Sequence, residues 1–314
     1  MKLIIQIPCF NESATLAVTV AALPRSLAGF DTVEWLVIDD GSQDNTSEVA
    51  RSLGVDHVVR HTRNQGLAKA FMTGLDACLQ RGADVIVNTD ADNQYCAADI
   101  PSLTQPILEH RADMVIGARP IDAIEHFSPV KKLLQRLGSW VVRVASNTDI
   151  PDAPSGFRAL SRVAAQHLMV FNNYTYTLET IIQAGQKNMA VVSVPVRVNG
   201  DLRPSRLVKS IPSYIQKSIV TILRIFIVYR PFRFFGTIGL VIFCCGLVLG
   251  GRFLNLYLQG DGGGHVQSLI LAATLLIMGF QTLLIAVVAD LQAANRKLLE
   301  DIRFKLNSSN KSDE

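Results

Sequence analysis

An α/β head built on a mainly parallel sheet, followed by amphipathic interfacial helices and two transmembrane helices, is the architecture this sequence predicts. Three observations carry that expectation. Short β-branched runs alternate with amphipathic, helix-length stretches up to about Asn199, the rhythm of βαβ units. From Asp201 to Asp261 no acidic residue interrupts a crowd of cations. Beyond Phe234, two uncharged spans are each long enough to cross about 30 Å of hydrocarbon. The expected boundaries are a head over 1–200, a basic juxtamembrane segment over 201–233, a hairpin over 234–290 and a tail over 291–314.

Leu3 to Ile7 reads as a first buried strand closing on the loop Pro8 to Glu12, and a helix starting near Ser13 or Ala14 runs to about Leu27. Val33 to Ile38 repeats the pattern and closes on Asp39-Asp40-Gly41-Ser42, after which Asn45 and Glu48 suggest a capping box. Asp44 reads as a turn residue. His57 to Arg60 is a weak third strand, Leu67 to Gln80 a helix, Val85 to Val87 a fourth strand and Met114 to Ile116 a fifth. Right-handed crossovers make these strands parallel and bring their carboxyl-end loops to one edge, where ligands bind.

The richest chemistry follows the fourth strand, in Asn88-Thr89-Asp90-Ala91-Asp92-Asn93-Gln94. On extended backbone Asp90 and Asp92 leave the same face and close on one point. Two adjacent carboxylates repel unless a cation joins them, and all-oxygen ligation, with the Gln94 amide as third donor, suits Mg²⁺ or Mn²⁺ better than zinc. A polar loop after a strand is the plain alternative.

Several classes are excluded. No GxGxxG follows the first strand and no GxxxxGK[ST] occurs anywhere, which removes the dinucleotide and P-loop folds. A net charge of +3 gives no whole-chain argument for nucleic acid. Cys9, Cys78, Cys96, Cys244 and Cys245 show no paired spacing, and His110, His126 and His167 no ligand spacing. The opening MKLIIQIP is too short for a signal peptide and reads as strand.

The segments IPCFNES, VIDDGS, RNQGLAKA, NTDADNQ, IGARP and DAPSGFRALSR stand in the order found in inverting family 2 glycosyltransferases of the GT-A (Rossmann-like) fold. Within them the chain resembles the polyprenyl-phosphate glycosyltransferases similar to dolichol-phosphate mannose synthase, over roughly its first two thirds. That resemblance implies a nucleotide sugar, UDP- or GDP-linked, and a polyprenyl phosphate as partners. It implies nucleotide contacts at Pro8, Phe10, Glu12, Asp39, Asp40, Asp90 and Ala91, and a metal on Asp90, Asp92 and Gln94. It also implies diphosphate contacts at Arg119 and Arg206, acceptor-phosphate contacts at Lys132 and Arg136, and catalytic roles for Asp92 and Asp152. Asp152 is open between a base and an orienting group, because a phosphate monoester with a second pKa of about 6 needs little deprotonation.

Arg203, Arg206, Lys209, Lys217, Arg224, Arg230 and Arg233, interleaved with helix-spaced apolar residues, read as a basic helix lying in the headgroup plane. Cations flank the hairpin on both sides, at Arg233 and at Arg296 and Lys297, which predicts a multi-pass protein of the cell (inner) membrane with both termini cytoplasmic. Gly246, Gly250 and Gln281 are able to join helices within the hairpin or between subunits of a homo-oligomer. Two rivals remain: a polysaccharide synthase, disfavoured because Gln135-Arg136 is not followed by a QxxRW pattern, and a non-catalytic membrane scaffold, disfavoured by the intact acidic pair.

Overall fold

The computed structural model describes residues 1–120, 129–170, 176–200, 220, 223–224, 227–260 and 264–309, with the side chains of 129–135, 297, 300–301 and 303–309 excluded. The chain divides into two compact units, Met1–Ile219 and Val220–Glu314.

In the first unit, β1 (Lys2–Cys9), β2 (Thr32–Asp39), β3 (His57–Arg60), β4 (Val85–Asn88), β5 (Met114–Ala118), β6 (Arg158–Ser161) and β7 (Val191–Pro195) form one sheet in the order β3-β2-β1-β4-β6-β5-β7. All pairings are parallel except those of β6, which runs antiparallel to both β4 and β5. Neither β6 nor β7 was expected, since each is only four or five residues long and stands next to a helix. Around the sheet lie α1 (Leu16–Ala22), α2 (Thr46–Ser52), α3 (Leu67–Gln80), α4 (Ile100–Leu108), α5 (Pro129–Ser146), α6 (Arg162–His167) and α7 (Thr177–Gln186).

Strand alternation makes β1 serve two cores. Leu3, Ile5, Ile7 and Cys9 join Leu16 and Val20 of α1 and Ile100, Leu103 and Ile107 of α4 in one buried cluster. On the other face Gln6 meets α3 so closely that a Cβ on Gly74 would strike its Oε1 and come within 2.8 Å of Ile38 Cδ1. Pro8 sits inside β1, opposite Ile38, rather than ending it.

Two helix starts differ from expectation. α1 spans only Leu16–Ala22, because the loop before it is tied to β2's loop and Pro24 follows it. Asn45 makes no side-chain cap on α2; Asp44 accepts instead from the Thr46 amide at 3.1 Å and from Ser13 at 3.1 Å, which binds the two loops together.

In the second unit, α8 (Pro231–Leu258) and α9 (Val266–Ser309) contain spans of mean hydropathy 2.2 and 2.3 with most of their surface unburied, as membrane helices require. They pack antiparallel in one constant register: a Cβ on Gly250 would touch Ala272 at 3.9 Å, on Gly246 Leu276 at 2.9 Å, on Gly279 Phe243 at 2.6 Å and on Gly239 Leu283 at 3.0 Å. Gly246 therefore serves the hairpin itself, Gly250 lies on the same seam, and Ala272, Gly279 and Ala286 repeat at seven-residue spacing on the facing helix. At about 1.5 Å per residue α9 runs roughly 66 Å, about twice the hydrocarbon thickness, and takes in the tail as far as Ser309.

Gly74→Ala tests the tight seam under β1. Overpacking costs about 1–3 kcal/mol against about 1 kcal/mol of gained helix propensity, so Tm of the solubilised protein is expected to fall. A rise in Tm would show that the seam yields.

Candidate functional site

The sheet places the expected loops together. β1, β2, β4 and β5 point the same way, so the residues after Cys9, Asp39, Asn88 and Ala118 share an edge. Because β6 runs the other way, it is its amino end, preceded by Asp152 to Phe157, that reaches this edge.

After β4 the backbone does not stay extended. It turns at Ala91 and Asp92, Asn93 adopts φ 55°, and Asp92 Oδ1 accepts from the Gln94 amide at 3.2 Å. An aspartate favours such a turn over a straight strand end, so the acids are brought close by reversal of the chain. No described residue donates a hydrogen bond to the Asp90 carboxylate, which lies against Gly156; a Cβ there would come within 3.1 Å of its Oδ2. Burial, and then the Asp92 charge, push Asp90 up to about 7.

A half-buried carboxylate pair, one member of which receives no hydrogen bond from a described residue, suits a hard cation. Among the described residues no three His, Cys, Asp or Glu side chains converge. Two carboxylates would therefore hold the ion, with its other positions left to diphosphate oxygens and water, as Mg²⁺ commonly takes them. The Gln94 backbone is anchored by Asn199, whose amide donates to the Gln94 carbonyl at 2.8 Å and whose side chain donates to Asn93 at 2.9 Å.

Beneath the acids lies a buried polar floor. Asn88 accepts from Gln6 at 2.9 Å and donates to the Gly156 carbonyl and to Tyr176 Oη, both at 2.9 Å. Tyr95 Oη accepts from the Gly156 amide at 2.9 Å, and Tyr176 stacks on Phe71 with centroids 3.8 Å apart. Arg158 is fully buried; it donates to Thr180 Oγ1 at 2.6 Å and to the carbonyls of Thr177 and Ser155, and meets no carboxylate among the described residues. Burial pulls its pKa down while Tyr176 and Asp90 oppose that shift.

The nucleotide candidates occupy the neighbouring loops. Asp39 is buried and accepts from the Ser42 amide at 2.8 Å and from the Ser47 hydroxyl, with Arg60 Nε at 3.4 Å. Asp40 accepts from the amides of Gln65 and Gly66 at 2.9 and 2.8 Å and pairs with His61 at 2.7 Å, which holds the Arg63-to-Gly66 loop. Gly41 is required at its place: with φ 70°, a Cβ there would lie 2.6 Å from the Asn64 backbone nitrogen. Glu12 is buried and accepts from Thr15 Oγ1 at 2.7 Å, Pro8 is buried, Ala91 is buried, and Phe10 is 37% exposed at the loop crest.

Arg119 and Asp152 form a buried two-pronged ion pair, Nε to Oδ2 at 2.7 Å and Nη2 to Oδ1 at 3.0 Å, and the Arg119 amide also donates to Oδ2 at 3.1 Å. Both carboxylate oxygens are thus engaged. The guanidinium has five N–H donors, and among the described residues two of them go to Asp152. Arg136 is exposed on α5; the side chain of Lys132, and Arg206 with the basic segment around it, lie outside the described residues.

Several residues that build the site went unread in the sequence. Arg197 grips Asp99 with its amide at 2.7 Å and its guanidinium at 2.6 and 3.0 Å, so the strand end after β7 straps the acidic loop in place. Tyr95, Asn88 and His61 carried no signal beyond being polar residues next to strand ends. Arg158 did stand in a quoted motif, yet only a buried cation's need for acceptors explains it.

Asp90 supplies a test. An unfolded chain titrates it near 3.8 and the native one near 7, so ionising it weakens the fold progressively as pH rises between those values. In the presence of a chelator, Asp90→Asn is expected to raise Tm at about pH 8 and to have little effect near pH 4. A lower Tm at pH 8 would mean that the fold stabilises the ionised carboxylate.

Comparison with known proteins agrees with this geometry. Residues 4–169 match the model of glycosyl transferase family 2. A UDP-N-acetylglucosamine–dolichyl-phosphate N-acetylglucosaminyltransferase from Methanococcus voltae is 27% identical over 212 residues, 61% of this chain and 83% of the relative. An undecaprenyl-phosphate mannosyltransferase from Micrococcus luteus is 27% identical over 206 residues, 62% of this chain and 83% of the relative. Glucosyl-3-phosphoglycerate synthase from Mycobacterium tuberculosis, crystallised with Mn²⁺ and uridine diphosphate, has a TM-score of 0.55 at 20% identity, covering 71% of this chain and 78% of that one, and shares the fold. With more than half its length matched, this chain belongs to glycosyl transferase family 2 and is a glycosyltransferase.

Proposed function

We propose that the enzyme transfers one sugar from a nucleotide diphosphate sugar to a polyprenyl phosphate at the cytosolic membrane face, with inversion at the anomeric carbon. The observation that carries the reading is the Asp90 carboxylate beside Asp92, to which no described residue donates, set on the sheet edge with Arg119. The transfers to dolichyl and undecaprenyl phosphate carried out by relatives, and the two apolar helices, favour a lipid acceptor.

In this reading Asp90 and Asp92 hold Mg²⁺ or Mn²⁺, and Gln94 stands beside them. The ion, when bound, neutralises the departing diphosphate. Arg119 directs its guanidinium at the same phosphates, a charge placed in advance of the reaction. Asp152 orients Arg119 and takes no proton from the acceptor, because Arg119 engages both its oxygens. The acceptor phosphate is already largely ionised near neutral pH, with its second pKa about 6, and attacks without a base. Lys132, Arg136 and Arg206 gather phosphate charge, and the loops at Pro8, Phe10, Glu12, Asp39 and Asp40 receive the nucleoside. The membrane helices cross twice, with both chain ends cytoplasmic, and tether the enzyme to the bilayer that carries its acceptor, which lowers the entropic cost of bringing donor and lipid together.

The test is transfer from a panel of radiolabelled UDP- and GDP-sugars to extracted polyprenyl phosphate, with and without Mn²⁺. Wild type is expected to label lipid with one donor and only with the metal. The double variant Asp90→Asn, Asp92→Asn should lose at least about 100-fold, in the range set by removing transition-state charge stabilisation. Undiminished transfer by that variant would remove the metal from the account. Asp152→Asn separates the two roles of Asp152: an orienting group predicts a loss that does not change with pH across 6 to 8, whereas a base predicts loss of a pH-dependent limb.

A further inference from the structure

We propose that the outer face of α5 is a second membrane-docking surface, seated on the anionic headgroup layer. Leu137, Trp140 and Val144 recur at i, i+3 and i+7 and are 43%, 51% and 40% exposed, while Val141, Val142 and Ala145 on the opposite side are buried in the unit's own core. The helix is therefore apolar on two sides, and among the described residues one of them is left exposed. Among the described residues, the other large apolar side chains exposed in this unit, Met1, Phe10, Val18 and Val163, stand singly on separate elements, which is ordinary for a protein surface. A contiguous stripe with a tryptophan at its centre is not.

Charge decides what covers it. The eighteen residues Pro129–Ser146 contain Lys131, Lys132, Arg136 and Arg143 and no Asp or Glu. Lys132, Arg136 and Arg143 fall at i, i+4 and i+11, a cationic row running beside the apolar one. Arg143 reaches Asp149 at 3.4 Å, but that carboxylate is almost fully exposed and screens little. A protein partner with an apolar groove would not need the cation row, whereas a bilayer with anionic lipids takes both: indole and aliphatic side chains at the acyl boundary, cations among the phosphates. The same chain carries two spans apolar enough to be held in that bilayer, so the surface is present at high effective concentration. Seated this way, α5 would hold its cation row at the depth of lipid phosphates. The inference stands on the stripe and the spans, independent of which sugar is moved.

The sequence holds two tryptophans, and Trp35 is in the core, 6% exposed, so Trp140 can be read separately. In full-length Trp35→Phe protein in nanodiscs containing phosphatidylglycerol, Trp140 fluorescence is expected to be quenched at least two-fold by lipids carrying a nitroxide at the headgroup or upper acyl chain, and shielded from aqueous iodide. Quenching by iodide with no effect of nitroxide lipid would overturn the proposal. Shielding from iodide without nitroxide quenching would also overturn it and assign the face to a second copy. Should Trp35→Phe fail to fold, 5-fluorotryptophan labelling of the wild-type chain gives two ¹⁹F resonances, of which the proposal requires one, absent in Trp140→Phe, to be broadened by nitroxide lipid.

Discussion

A half-buried carboxylate to which no described residue donates is the constraint around which the catalytic unit is arranged. Asp90 is held beside a second acid, at a turn, where no described residue donates to it, and its surroundings are fixed. Asn88, Gly156, Tyr95 and Tyr176 lock one another by hydrogen bonds directly beneath it. Arg158 adds a fully buried positive charge whose donors go to carbonyls and a hydroxyl, so its field is left to act on the acids. Asn199 and the Arg197–Asp99 pair strap the loop from the outer side. The packing of four different strand ends thus holds the acid in place.

Much of the fold was legible because periodicity and punctuation are local. α3 and β3 have the expected ends, since Gly66 and Gly82 mark boundaries that side-chain pattern confirms. What was not legible was long-range. The extended reading of Asp90 and Asp92 failed because an Asx turn wins over strand geometry once the ladder with β1 ends at Asn88. The single antiparallel strand β6 was missed because Arg158–Ser161 is four residues of mixed character, yet its direction alone brings the Asp152 loop to the site.

The candidate residues divide along the same line. Asp39 and Asp40 were expected at a nucleotide and stand in the right loops, but their oxygens are largely taken by backbone amides, so their first effect is to shape those loops. Asp152 and Arg119 were read separately and proved to be a pair, a relation that a separation of 33 positions hides from any local pattern. The hairpin shows the reverse case: Gly246 and Gly250 left two uses open in sequence, and the constant register of α8 on α9 assigns Gly246 to the hairpin.

The central claim is that Asp90 and Asp92 close a cation onto a nucleoside diphosphate. Electron paramagnetic resonance of Mn²⁺ with the full-length protein reads this without any sugar or lipid. One tightly held Mn²⁺ per chain, appearing only with UDP or GDP and broadening that nucleotide's ³¹P resonances, is the predicted result. Mn²⁺ that stays free with either nucleotide, or binds equally well to the Asp90→Asn, Asp92→Asn protein, would contradict it.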